Sequence, residues 1–234
     1  MKRVPAILLA LPVALALAIW APFLAAAQTA PTPAEIARYT GLHKAAHEGD
    51  AAAIARLAAG GADINATDGA RRTPLHVAAF ASKPAAVRAL AKAGAGMNAL
   101  EHQAYDVVTI AAVANDLDVL EAALASGASA ANITSPYHGT ALIAAAHLGH
   151  HKVVTRLIAA GAPLDHVNNL GWTALIEAVI LGDGSANHIE TVRALVKAGA
   201  SRSIADRQGA TPLMHARTRG FTAIAQLLQA PAAR

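Results

Sequence analysis

Five histidines crowd the middle of the sequence: His138, His147, His150, His151 and His166, with His188 a little further on. Neutral imidazole suits zinc, copper and nickel, so this cluster is the first place to look for metal chemistry. Its spacing argues against that use. His147 and His151 lie on opposite sides of Gly149, a residue that ends helices, so they do not share one helical face. Glu177 and His215 are the other candidates, because a carboxylate beside an imidazole can move protons. No nucleophile, glycine-rich phosphate loop or third orienting group stands in register with them. A structural clasp between Glu177 and His215 is therefore expected, since a buried charge is tolerable only when paired and hydrogen-bonded. No catalytic residue, cofactor or metal is assigned. A hydrolase or metal-dependent enzyme using the histidine-rich middle is the competing reading.

The elements that must position these side chains are short. Thr140–Asp165 reads T-A-L-I-A-A-A-H-L-G-H-H-K-V-V-T-R-L-I-A-A-G-A-P-L-D. Thr140 is a ready N-cap for a helix ending near Gly149, and a second helix places Val153, Val154, Leu157 and Ile158 on one face before Gly161. Neither helix can bury its face alone. Related stretches start at Thr40, Thr73, Asp106, Thr173 and Thr211, so successive starts are 33, 33, 34, 33 and 38 residues apart. A period of about 33 headed by T-P-L-H-x-A (here Thr73-Pro74-Leu75-His76-Val77-Ala78) is an ankyrin signature. The chain thus resembles the ankyrin-repeat family over residues 39–230, which implies an all-α solenoid of about six helix-turn-helix repeats with hairpin fingers. The repeats run 35–67 (an N-terminal cap), 68–100, 101–134, 135–167, 168–205 with an insertion, and 206–234 (a C-terminal cap). In repeat three Asp106 replaces the capping threonine and Asn115 the helix-ending glycine, exchanges that keep the physics.

Residues 1–27 read as an address. Lys2 and Arg3 precede an apolar run from Val4 to Leu24, and Ala25-Ala26-Ala27 offers small residues before Gln28, the order of a secretory signal peptide. An uncleaved membrane anchor is the alternative, because the run approaches spanning length. Residues 28–34, with Pro31 and Pro33, read as a short extended linker. The stretch Gly171–Gly184 is similar to one in exported bacterial ankyrin proteins, which implies a periplasmic location. There is no cysteine, so packing alone must hold the fold. The formal net charge of +4 is spread over the chain and not gathered in a stripe, which argues against nucleic acid.

Ankyrin proteins are, as a family, binding scaffolds without catalytic residues. The resemblance implies contacts at positions two, three, five, thirteen and fourteen of each repeat, on the fingers and the ends of the first helices. Tyr39, Arg72, Tyr105 and Trp172 fall at position five, Tyr137 and Leu170 at three, Phe80 at thirteen, and Leu148 and Leu181 at fourteen. Outside the leader, only Phe221 among the aromatic residues lies elsewhere. Rings offer large contact area with few rotors to freeze, which suits binding anchors. The expected partner is a protein or peptide on the concave face of a monomer, with no membrane contact once the leader is removed.

Overall fold

A computed structural model describes residues 28–230; the expected leader and the last four residues of repeat six lie outside them. A single-turn helix α1 (Pro33–Ile36) precedes six helix pairs: α2 (Gly41–Glu48) with α3 (Ala51–Ala59), α4 (Pro74–Phe80) with α5 (Pro84–Lys92), and α6 (Val107–Val113) with α7 (Leu117–Ala125). Next come α8 (Ala141–His147) with α9 (His151–Ala159), α10 (Ala174–Ile180) with α11 (Ala186–Lys197), and α12 (Pro212–Thr218) with α13 (Thr222–Gln229). First helices pack side by side in one layer and second helices in another. The fold is an all-α ankyrin solenoid; among the described residues the fingers are turns, with one isolated bridge between Thr134 and Gly139.

Small residues set the layer spacing. Position eleven is alanine in every repeat (Ala45, Ala78, Ala111, Ala145, Ala178, Ala216), and all six are buried. A larger side chain there would push neighbouring first helices apart, and packed interiors have no slack for it. Leu90, Leu120, Leu157 and Leu195 close the core from the second helices.

The caps follow the sequence closely. Thr140, Thr173 and Thr211 accept from the backbone N–H three residues on, and Asp106 does the same for Thr109 at 2.8 Å. In repeat two the T-P-L-H box works differently: Nδ1 of His76 accepts from Thr73 N–H, and its Nε2–H donates to Ala99 O in the next finger. Where the first helix must turn left-handed, Gly149 (φ +69°) has as counterparts Asn115 (55°) and Ser82 (53°).

One regularity escapes the motif reading. Position one of repeats two to six is Asp68, Glu101, Ser135, Asn168 or Asp206, and one side-chain oxygen of each accepts from the N–H groups two and four residues on. This oxygen pins the finger. Where the residue is Asp or Asn, its other terminal atom is left to bind something further away.

Two regions depart from a simple repeat. Residues 28–34 are not merely extended: α1 carries a capping box between Thr32 and Glu35, and Glu35 binds Arg72 at 2.5 Å. The insertion lengthens α11 to 12 residues. Its His188 fills a slot, so that a Cβ on Gly149 would come within 2.9 Å of the ring and one on Gly182 within 2.6 Å. Arg219 then reaches back from the last repeat to the carbonyls of Ile180 and Gly182, tying the cap to the insertion.

Candidate functional site

A cleft of about 250 Å³ lies on the first-helix face of repeats three to five. Its walls are apolar: Val113 of α6, Ile143 and Ala144 of α8, and Leu148 at the end of α8. Tyr105 and Tyr137 come in from two successive fingers, and Gln28 from the N-terminal side. Glu177, Asn168 and His147 supply polar groups.

The finger places the carboxyl. Asn168 spends its Oδ1 on the N–H groups of Leu170 and Trp172, both at 3.0 Å, which turns its Nδ2 toward α10. That nitrogen donates to Glu177 Oε1 at 2.8 Å. Glu177 is only 5% exposed, and burial pushes its acid up to about 8, against the opposing effect of the Asn168 hydrogen bond. His147 Nδ1 lies 3.6 Å from the other oxygen, beyond hydrogen-bond length. Burial, helped by the nearby His188, also pushes the imidazole toward its neutral form. Although the distance falls within ion-pair range, both groups are driven neutral at pH 7, so the contact is not a salt bridge. Burial likewise raises the Tyr105 hydroxyl to about 12, with smaller contributions from Tyr137 and Glu101.

The expected clasp does not form. His215 donates instead to Asp206 at 2.7 Å, as Glu177 accepts from Asn168; each position-ten group pairs with position one of its own repeat. The reason is reach: the finger residue of the same repeat stands over the first helix, with one terminal atom still unused.

Three of the six histidines are structural donors to backbone carbonyls. His150 donates to Ala112 O at 2.9 Å, His166 to His138 O at 2.7 Å, and His188 Nε2 to His147 O at 3.0 Å. Among the described residues no three His, Asp or Glu side chains are grouped to hold a metal ion.

Of the residues expected to meet a partner, Tyr105, Tyr137 and Leu148 come together in the cleft. Leu148 is 41% exposed, whereas Tyr105 is buried within the core cluster. Trp172 and Leu170 are half-buried in the finger of repeat five, Leu181 is half-buried at the end of α10, and Phe80 packs on the core. Tyr39 donates its hydroxyl to Asp68 at 2.8 Å. Arg72 needs correction as a surface contact: it is 1% exposed, its Nε donating to Asp68 and its terminal nitrogen to Glu35. A guanidinium in that position braces the N-terminal end of the array. Thr109 and Ile143 at position nine and Glu177 at position ten also line the cleft, outside the positions expected to meet a partner.

The repeat geometry has a direct counterpart among known proteins. Residues 23–106 and 108–200 match the family described as ankyrin repeats (3 copies). The chain belongs to the ankyrin-repeat family. It is 40% identical over 103 residues to the ankyrin repeat protein YahD of Escherichia coli (strain K12), an alignment covering 44% of this chain. The chain spans about half the length of that relative, 51%. A crystal structure of an ankyrin repeat domain from Acinetobacter baumannii AYE is 44% identical, with a TM-score of 0.75 over 80% of this chain and 95% of that one. A chain from the complex of the Bd0816 predatory endopeptidase of Bdellovibrio bacteriovorus with immunity protein Bd3460 is 25% identical. Its TM-score is 0.67, over 81% of this chain and 97% of that one.

Proposed function

We propose that this ankyrin-repeat protein is an exported, periplasmic scaffold that captures a segment of a partner protein or peptide on its first-helix face and performs no chemistry of its own. The observation that carries the reading is the cleft: successive repeats contribute Tyr105, Tyr137 and Leu148 to one apolar-walled trough of about 250 Å³. An array of small repeats builds such an extended surface without a closed active site. Histidines spent on backbone carbonyls weigh against the metal-enzyme alternative. That a similar fold occurs in a complex between an endopeptidase and an immunity protein supports the choice of a protein partner.

Capture from a periplasmic extract tests the partner face. Tyr137→Ala combined with Leu148→Asp should lower retention of a specific partner at least about tenfold, a loss of roughly 1.4 kcal/mol, while the thermal melt stays close to that of the native protein. Retention unchanged by the double variant would move binding off this face. Export is tested by N-terminal sequencing of protein released by osmotic shock, which should begin at Gln28. A chain that begins at Met1 and pellets with membranes would be the tethered form instead.

A further inference from the structure

Glu177 is the most unusual group in the cleft. It is a carboxyl with 5% exposure, set among apolar walls, and its one strong partner is the neutral Asn168 amide. Apart from His147 at 3.6 Å, itself driven neutral, no basic side chain among the described residues comes within 4 Å of it. Basic side chains on the adjoining elements are turned elsewhere: His215 of α12 to Asp206, Arg219 just past α12 to the carbonyls of Ile180 and Gly182, and His188 of α11 to Asp183. A buried carboxyl left without a counter-charge is costly in a purely structural role, and an uncharged residue serves at the same position as Val77, Ile110 and Ala144.

The surroundings fit a visiting cation. Tyr105 and Tyr137 line the same cleft, and aromatic faces attract ammonium and guanidinium groups. Val113, Ile143 and Leu148 offer apolar wall for the methylene stem of a long charged side chain. A second group points the same way. Gln28 Nε2 is hidden from solvent at the cleft and has no hydrogen-bond acceptor, a donor suited to a backbone carbonyl.

We propose that the cleft is a receptor for one lysine or arginine side chain of the partner polypeptide, whose charge is met by Glu177 and whose stem lies against Val113, Ile143 and Leu148. This rests on the reading of the cleft as the partner face and adds the chemistry it selects. Entry of the cation stabilises the ionised carboxylate, so binding below pH 8 releases one proton from Glu177. His147, the titratable group that faces it, is already held toward neutrality.

The probes are capped pentapeptides, acetyl-Ala-Ala-Xaa-Ala-Ala-amide, with lysine, arginine, norleucine or glutamate at Xaa. They are titrated against the full chain while amide NMR signals of residues 140–148 and 168–177 are followed. Lysine and arginine peptides should shift these signals and bind at least about tenfold tighter than norleucine, equivalent to roughly 1.4 kcal/mol. Their affinity should rise as pH approaches 8. Glu177→Gln should abolish the preference for lysine over norleucine with the spectrum otherwise intact. Equal binding of norleucine, or tighter binding of glutamate, would overturn the cation receptor yet leave the partner-face reading standing. Absence of any shift with the lysine and arginine peptides would also overturn it. If partner retention survives Tyr137→Ala with Leu148→Asp, the partner face itself is wrong, whatever the peptides do.

Discussion

A single carboxyl dominates the residue scale. Glu177 has a folded-state pKa of about 8 against an ordinary value of 4.5, so between those values the native state holds a proton that the unfolded chain has lost. Stability must then fall as pH rises through that window, by up to about 1.4 kcal/mol per pH unit for one proton. Glu177→Gln removes the titration and keeps an oxygen for Asn168 Nδ2 to donate to. The variant should therefore be more stable than the native protein at pH 8, with a flatter profile from pH 5 upward. Urea melts across that range measure it, and parallel profiles for the two proteins would sink the buried-acid account. The same local pairing explains why His215 is no partner for Glu177: Asp206 stands 2.7 Å from it within its own repeat.

At the scale of elements, the insertion in repeat five shows how an irregularity is absorbed. Three extra residues on α11 relative to α9 and a longer loop would leave a gap beside α10, and the His188 ring fills it. Space for that ring depends on Gly182, where a Cβ would meet Ala178 O at 2.2 Å and the ring at 2.6 Å. The backbone oxygen cannot move away without distorting α10. Gly182→Ala should accordingly cost about 1–3 kcal/mol, the usual range for overpacking. Gly69→Ala is the matched control: nothing lies within 4 Å of its Cβ, and the change should stay within about 0.5 kcal/mol. Equal melts for the two variants would mean that the loop shifts freely and His188 is not wedged.

For the whole molecule, stability is a sum over repeats and their interfaces, so the ends decide where unfolding starts. Arg72 fastens the N-terminal end by bridging Asp68 of the second repeat to Glu35 of the capping segment. Backbone and side-chain bonds to Thr32, with Arg72 adding to them, hold the Glu35 carboxyl down at about 2, so this brace persists through ordinary pH. Arg72→Ala should cost roughly 2–3 kcal/mol, the scale of hydrogen bonds to charged groups. Faster amide exchange should be confined to α1 and α2, with α8 and α10 unaffected. Arg72→Lys should rescue little, because one ammonium cannot reproduce the two directed bonds. Uniform loosening of all six repeats would show that the array folds as one unit and the brace is not local.

How much of this was legible beforehand depends on whether the information is local. The period near 33, the caps at Thr140, Thr173, Thr211 and Asp106, the Asn115 turn and the apolar faces of the second helices are properties of short windows, and the structure keeps each. Register within the repeat singled out Tyr105, Tyr137 and Leu148 together, and these three line one cleft. Signals for the finger-pinning oxygens were also present, as Asp, Glu, Ser, Asn and Asp at the first position of five repeats, but no one stretch identifies them. What tertiary structure alone decided is where each polar side chain finds its partner. Arg72 turns inward because two carboxylates 4 and 37 residues away converge on it. Glu177 meets Asn168 and not His215, because a finger pinned by one atom of Asn168 presents the other to α10. Hydrophobic period is written in sequence spacing, whereas hydrogen-bond pairing depends on directions that exist only once the repeats have stacked.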